Sequence, residues 1–421
     1  MTAALAATAT FLFAGQAAAS SSARFGIQDD AWLRWGPGTL DSRLNTLDSL
    51  GVKTVRFTLV WDEIAKQKPT KGTDPNDEAY DWSAFDPVMD GLRAHHITPL
   101  ITLWGSPNWA NRGKAPNALP KTTAAFGDFA YAAAKHYPWV RMWTVWNEPN
   151  TRVFSVPVSP SLYVKNLLNP AYAALHRANR ANKVAGGVTS PRQTASGMSP
   201  TAFATGMRAA HAKLDAYAAN PYPGTRVETP FSDPCSWCKT LNMSRLPQIR
   251  ALVTRLFGAS KQLWLTEYGY QTNPPDRLLG VSYAKQAEYV GEAALRVYEQ
   301  RGATVLIQFL VQDEPSLGGW QSGLYTKNGK AKPARAAFAL PLAEMSRRGT
   351  RTVLWGQVRP GSGARPFVIQ RSRGGHWVNI GSTKRTGAGG TFRVTVNVSA
   401  GTKVRLKSPR VPFASPAMVV R

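Results

Sequence analysis

The chain has 421 residues, 43% of them hydrophobic and 18% charged, with a net charge of +26 and fourteen tryptophans. This balance excludes a disordered polyelectrolyte and fits a globular chain with enough apolar side chains for an extensive core. Two cysteines cannot complete a four-sulfur zinc site, and the six histidines show no metal-ligand spacing, so no catalytic metal and no cofactor are expected.

Residues 1–19 are small and apolar and end in Ala17-Ala18-Ala19, which reads as a secretory signal peptide, although no Lys or Arg precedes the apolar run. The run is shorter than the roughly 20 residues a membrane-spanning helix needs. The expectation is therefore an exported protein, extracellular or cell-surface associated.

From Arg24 to about Gly349, strand-like and helix-like segments alternate eight times. Strands are expected at Arg24–Gln28, Thr54–Val60, Thr98–Leu103, within Arg141–Asn150, and at Lys183–Gly187, Leu214–Ala218, Gln262–Thr266 and Thr304–Phe309. The helices between them fall at Leu40–Leu50, Trp82–His95, Thr123–His136, Ser161–Arg180, Pro200–Lys213, Met243–Phe257 and Ser282–Gln300, with a last one near Ala334–Arg347. Eight such units predict an α/β fold, a (β/α)8 TIM barrel over residues 20–349.

After Arg351 the period changes to short β-rich runs separated by glycine-rich turns, at Thr352–Val358, Pro366–Arg371, His376–Ile380, Thr391–Val398 and Thr402–Lys407. Residues 350–421 are expected to form a small C-terminal β-sandwich accessory domain. From 351 onward there is no Asp or Glu and there are thirteen Lys and Arg, half of the chain's +26. A field of that sign favours an anionic cell-envelope polymer, or else belongs to a solvated accessory domain. Nucleic-acid motifs are absent, so no nucleic-acid partner is expected.

Two stretches carry the chemistry. Arg141 to Asn150 reads RMWTVWNEPN, an apolar run that stops at Asn147-Glu148-Pro149, because proline cannot continue a ladder. A carboxyl beside tryptophans is partly desolvated, which raises its pKa and suits a proton donor. Lys261 to Gln271 reads KQLWLTEYGYQ and places Glu267 at the end of another short strand. Two glutamates at strand ends of one barrel point into one mouth, as hydrolysis of a glycosidic bond requires.

These two segments, Trp-Asn-Glu-Pro at 146–149 and Trp-Leu-Thr-Glu-Tyr-Gly at 264–269, resemble the catalytic strand ends of glycoside hydrolase clan A. That clan contains retaining enzymes such as cellulases, β-mannanases and β-xylosidases on (β/α)8 barrels. The resemblance implies that Glu148 is the acid/base and Glu267 the nucleophile. It implies that Arg56 points at the nucleophile, that Asn147 bonds the sugar 2-hydroxyl, and that Tyr222 bonds the nucleophile. Many relatives have His where this chain has Asn220, which weakens the carry-over to Tyr222.

Trp61, Trp104 and Trp320 are expected as sugar-stacking walls, with packing inside the loops as the plainer role for each. Gln308 could reach a sugar hydroxyl or sit in the top layer of the barrel, where clan members often carry an aromatic residue. Arg56 could instead extend to the barrel bottom, and Tyr222 could pack on a neighbouring loop. Cys235 and Cys238 are expected to close a local disulfide in the loop after the sixth strand. The substrate expected is a β-linked poly- or oligosaccharide, cleaved by double displacement. A non-hydrolytic carbohydrate-binding barrel and a cell-wall transglycosylase are the alternatives.

Overall fold

The computed structural model describes residues 23–235 and 240–421. The expected signal peptide at 1–19 and Cys238 lie outside the described residues, as does the pairing that would join Cys238 to Cys235.

Eight parallel strands close into a barrel in sequential order. They are β1 (Arg24–Gln28), β2 (Thr54–Val60), β3 (Thr98–Trp104), β4 (Met142–Val145), β5 (Lys183–Thr189), β6 (Ala216–Ala219), β7 (Gln262–Tyr268) and β8 (Ala303–Phe309). β1 pairs with both β2 and β8, so no edge is left open. The strands read as continuous apolar runs because both faces are covered, by helices outside and by side chains inside.

The interior is filled by Leu100, Met142, Ala185, Val188, Ala216, Ala218, Trp264, Val305 and Ile307. Trp264 is the one large ring among them, and its direct pairing partner on β6 is Ala218. Alanines at 185, 216 and 218 leave the volume that the indole occupies, so small and large side chains alternate around the lumen.

Outside the barrel, three helices begin where the sequence signals them. Thr39, Ser199 and Ser282 accept hydrogen bonds from the amides of Ser42, Ala202 and Lys285, capping helices Leu40–Ser49, Pro200–Ala209 and Tyr283–Glu299. The helix expected at Ser161–Arg180 is broken into Pro160–Tyr163, a wide π-turn at Val164–Leu168, and Asn169–Ala178. Pro170 has no N–H to donate back along the ladder, and the turn before it widens.

The last expected helix, Ala334–Arg347, is corrected more substantially. It ends at Ala339, and β9 (Leu342–Arg348) follows after Pro341. Gly349 and Thr350, with Gly349 at φ +58°, form a two-residue turn into β10 (Arg351–Gln357), to which β9 pairs antiparallel. The C-terminal sheets thus begin at Leu342 rather than at 350.

Two antiparallel sheets make up the C-terminal region. The three-stranded one is ordered β14-β10-β9, with β14 at Thr391–Asn397. The other contains β11 (Pro366–Arg373), β12 (His376–Asn379), β13 (Lys384–Arg385), β15 (Lys403–Lys407) and β16 (Met418–Val419). Phe367 of β11 stacks on Phe392 of β14 at 3.8 Å, which joins the two sheets face to face.

The three-stranded sheet rests on helix Tyr283–Glu299, where Tyr298 meets Trp355 at 5.3 Å. A Cβ on Gly291 would come within 2.7 Å of the Leu342 carbonyl, so only glycine permits this approach of helix to strand. Nearby, the buried Arg359 guanidinium is sandwiched between the rings of Phe25 and Phe338 at 4.4 and 4.3 Å. Burial lowers its pKa to about 9. Among the described residues no helix is long and apolar enough to cross a membrane.

Trp264→Ala empties the barrel lumen beside alanines that cannot fill the space. It is expected to cost about 3–5 kcal/mol, read as a lowered midpoint in chemical unfolding followed by circular dichroism.

Candidate active site

The carboxyl ends of the strands surround a cavity of about 400 Å³ whose walls include Arg56, Asn147, Glu148, Tyr222, Glu267 and Trp320. The structure therefore brings both predicted glutamates into one mouth.

Arg56 organises the floor. Its side chain is 1% exposed, yet each of its three nitrogens donates to an acceptor. Nε donates to Thr102 Oγ1 at 2.8 Å and Nη1 to Gln28 Oε1 at 2.6 Å. Nη1 also donates to Glu267 Oε1, and Nη2 donates to Asn147 Oδ1 at 3.0 Å. Tyr222 Oη donates to the other oxygen of Glu267 at 3.1 Å. One carboxylate oxygen thus faces a cation and the other a phenol, which fixes the plane of the group.

The local backbone explains how Glu267 reaches this place. The β7–β8 register slips between Leu265 and Tyr268, so one extra residue is accommodated around Thr266 and Glu267. Such an irregularity re-aims a side chain at a barrel rim.

Glu148 sits on a sharper turn. β4 ends at Val145, and Trp146 and Glu148 then take left-handed φ values of +71° and +36°. Neither residue type favours that region, at a cost of roughly 1–3 kcal/mol each. Burial of Trp146 and its indole N–H bond to Phe154 O at 2.6 Å hold the turn. A second irregularity, at Val188 between Gly187 and Thr189 of β5, presents the carbonyl that accepts from Glu148 N at 3.0 Å. The Glu148 side chain receives Asn220 Nδ2 at 3.1 Å, and Asn220 is oriented by Thr266 Oγ1 at 2.8 Å. Asn220 therefore links the segment that bears Glu267 to Glu148.

Burial first, and the neighbouring Glu267 carboxylate second, push the Glu148 pKa up to about 8; the Asn220 bond acts in the opposite direction. At neutral pH Glu148 holds its proton.

The other expected residues divide. Trp104 lines the cavity, as does Trp320, whose ring lies 4.7 Å from that of Tyr222. Glu314 holds the Trp320 loop, accepting from Trp320 N and donating its own N–H to Trp320 O at 3.0 Å. Trp61 is not a wall. It is 0% exposed, in the core against Trp109, Phe126 and Phe129, because it opens a short helix, Trp61–Ile64, that turns its ring outward from the mouth. Gln308 does not face the cavity either. Its amide donates to Phe309 O and Ser322 O, both at 2.9 Å, and braces the loop after β8. The aromatic residue at this strand end is the next one, Phe309, which lines the cavity and meets Trp320 edge-on at 5.7 Å.

Asp30, Phe154 and Glu314 also line the cavity and were not anticipated. For Asp30 a signal existed, since Gln28-Asp29-Asp30 follows the first strand directly. Its carboxyl pKa is raised, chiefly by burial, and its Oδ1 has no partner. The adjacent Asp29 is structural: it caps helix Asp30–Trp35 and accepts from the amides of Val311 and Gln312, both at 3.1 Å.

Residues 39–198 match the model of glycosyl hydrolase family 1, a stretch that includes Arg56, Asn147 and Glu148. Among solved structures the chain is similar to a GH39 enzyme from Xanthomonas axonopodis pv. citri, with a TM-score of 0.61 at 16% identity over 93% of this chain and 94% of that one. A monomeric beta-xylosidase from Caulobacter crescentus CB15 gives 0.60 at 17% identity, over 91% and 95% of the two chains. A beta-glucosidase from Thermotoga maritima gives 0.52 at 13%, over 75% of this chain and 96% of that one. At these identities the structural likeness speaks for the fold, barrel and C-terminal sheets together. The family match thus covers the part of the barrel that carries Arg56, Asn147 and Glu148, and the glycosidase structures share the fold on which both motif glutamates reach the mouth.

Proposed function

We propose that the protein is an exported retaining β-glycosidase that cleaves a β-linked poly- or oligosaccharide with Glu267 as nucleophile and Glu148 as acid/base. The observation that carries this reading is the unequal treatment of two carboxyls in one cavity. Glu267 is ion-paired with Arg56 and bonded by Tyr222, whereas Glu148 keeps a proton to about pH 8. A carboxyl that keeps its proton beside one paired with a guanidinium supplies an acid and a nucleophile in one cavity.

In the first step a Glu267 oxygen attacks the anomeric carbon while Glu148 gives its proton to the glycosidic oxygen, and the aglycone leaves as an alcohol. Positive charge leaves the cavity with that proton, and Glu148 becomes a carboxylate beside a Glu267 that is now an uncharged ester. The second cause of its raised pKa, the charge on Glu267, is then gone while burial remains, so its pKa falls and it can act as a base. In the second step Glu148 takes a proton from water, the water oxygen bonds to the anomeric carbon, and Glu267 is released as carboxylate. Two inversions give net retention. Asn147, fixed by Arg56, is placed for the sugar 2-hydroxyl, and Trp104 and Trp320 offer apolar faces to the ring.

A panel of activated 2-deoxy-2-fluoro β-glycosides, followed by peptide mass mapping, is expected to leave one sugar on Glu267 and none in Glu267→Ala. Adduct on a different carboxyl overturns the assignment, and absence of both adduct and turnover favours a binding-only barrel. Glu267→Ala is expected to lose about 10⁴-fold or more in kcat.

The pH dependence follows from the sign of the Glu148 shift. A carboxyl with a raised pKa is active as an acid below that value, so kcat/KM is expected to fall as pH rises through about 8. Asn220→Ala removes a bond that favours the charged form and is expected to move this limb to higher pH. The same shift costs stability: the folded protein resists ionising Glu148, so stability falls as pH rises from about 4.5 to about 8. Glu148→Gln is expected to melt at a higher temperature than the parent at pH 9, and to lose turnover.

A further inference from the structure

The outer face of the C-terminal sheet bears a surface that the barrel chemistry does not use. Residues paired across strands share a face, and the register places Gln370 of β11 opposite both Arg405 of β15 and Asn379 of β12. Ser372 likewise stands opposite Trp377, and Val368 opposite Lys407. Phe367, Ile369, Val404 and Leu406 point the other way, into the sandwich. The face directed outward therefore carries Trp377, Gln370 and Asn379 beside the row Lys403, Arg405 and Lys407.

Arg405 is set within this face rather than waving above it. Its guanidinium carbon lies 4.2 Å from the centre of the Trp377 ring, and its Nε donates to Gln370 Oε1 at 2.8 Å. Gln370 is itself held, with Nε2 donating to Asn379 Oδ1 at 2.9 Å. These contacts fix the plane of the guanidinium and leave its two terminal nitrogens without a partner among the described residues. No carboxylate among the described residues lies within 4.0 Å of Lys403, Arg405 or Lys407, and residues 351–421 contain none.

A guanidinium fork fixed in plane by its Nε and by an aromatic ring matches a carboxylate two bonds at a time. Lys403 and Lys407 lie two residues to either side on the same strand, so positive groups repeat about every 6.6–6.8 Å along it. Trp377 keeps part of its surface open and adds an apolar patch beside the row. A repeating carboxylate on a pyranose chain meets all three features, whereas a lipid surface has no use for a fork held over an indole.

We propose that this face is a binding platform for an acidic polysaccharide of the uronate class, running along β15. The site is separate from the catalytic cavity, and its existence does not depend on the roles given to Glu148 and Glu267.

The test is binding of the full chain to polygalacturonate, measured by calorimetry at about 150 mM salt, where diffuse surface attraction is screened beyond roughly 8 Å. Its methyl ester and duplex DNA are the comparison ligands. Binding to the free acid and loss of at least about tenfold with the ester are expected. Arg405→Lys, which keeps the charge and loses the fork, is expected to weaken binding about tenfold, and Trp377→Ala by a similar factor. Arg373→Gln, a cation off this face, is expected to change affinity less than twofold. The double variant Lys403→Gln/Lys407→Gln, at two exposed positions, decides the matter if Arg405→Lys melts below the parent. Equal weakening by Arg373→Gln and the platform variants overturns the proposal in favour of diffuse charge. Tighter binding of DNA than of the uronate, or unchanged affinity for the ester, overturns it as well.

Discussion

The mouth of the barrel depends on one buried guanidinium. Removing Arg56 from water costs several kcal/mol unless each of its donors finds an acceptor. Thr102, Gln28, Glu267 and Asn147 supply the acceptors from four different strand ends. Because the donors of a guanidinium lie in one plane at fixed angles, satisfying them sets the relative positions of those strand ends. Asn147 is thereby fixed one residue before Glu148, and Glu267 is fixed directly. The two carboxyls of the site are thus referred to the same rigid group.

That group also gives the two carboxyls different partners. The charge of Arg56 is directed at Glu267, while Glu148 has only the amide of Asn220 as a direct partner. Burial raises the Glu148 pKa, and no cation among the described residues stands at contact distance to offset it. The strained turn at Trp146 and Glu148 belongs to the same economy of position. A relaxed strand end would carry Glu148 onward along the barrel wall, whereas two left-handed residues fold it back over the mouth.

The sequence disclosed features that depend on period and on abrupt stops. Eight strands, all near their expected limits, were visible because buried parallel strands are uninterrupted apolar runs, and the glutamates stood out as charges at the ends of those runs. What it did not disclose depends on the direction of side chains after the strands end. Trp61 and Trp104 both occupy positions at a strand end, and nothing in their neighbours distinguishes them. The chain after Val60 coils at once into a helix and buries Trp61, whereas the chain after Trp104 runs on and leaves that ring at the cavity. Gln308 and Phe309 show the same limit: adjacent strand residues face opposite ways, so an error of one position exchanges a brace for a wall. β9 was hidden for a related reason. Leu342–Arg348 follows a helical pattern with no polar loop between, and only Pro341 marks the change.

Helix Tyr283–Glu299 links these two scales of organisation. It follows β7, the strand that presents Glu267, and it is buried on nearly all sides instead of along one stripe. One side packs on the barrel, where Gln286 bonds to the carbonyls of Tyr270, Ser322 and Gly323. Ser322 also receives Gln308, so the segment leading from Trp320 is tied to both the helix and β8. The other side carries Gly291 and Tyr298 against the C-terminal sheet. A helix gripped on both sides cannot shift without unpacking one of them. The C-terminal sheets are therefore part of what holds the Trp320 wall and the Glu267 strand in register, and the apolar contact between the two regions belongs to the architecture of the site.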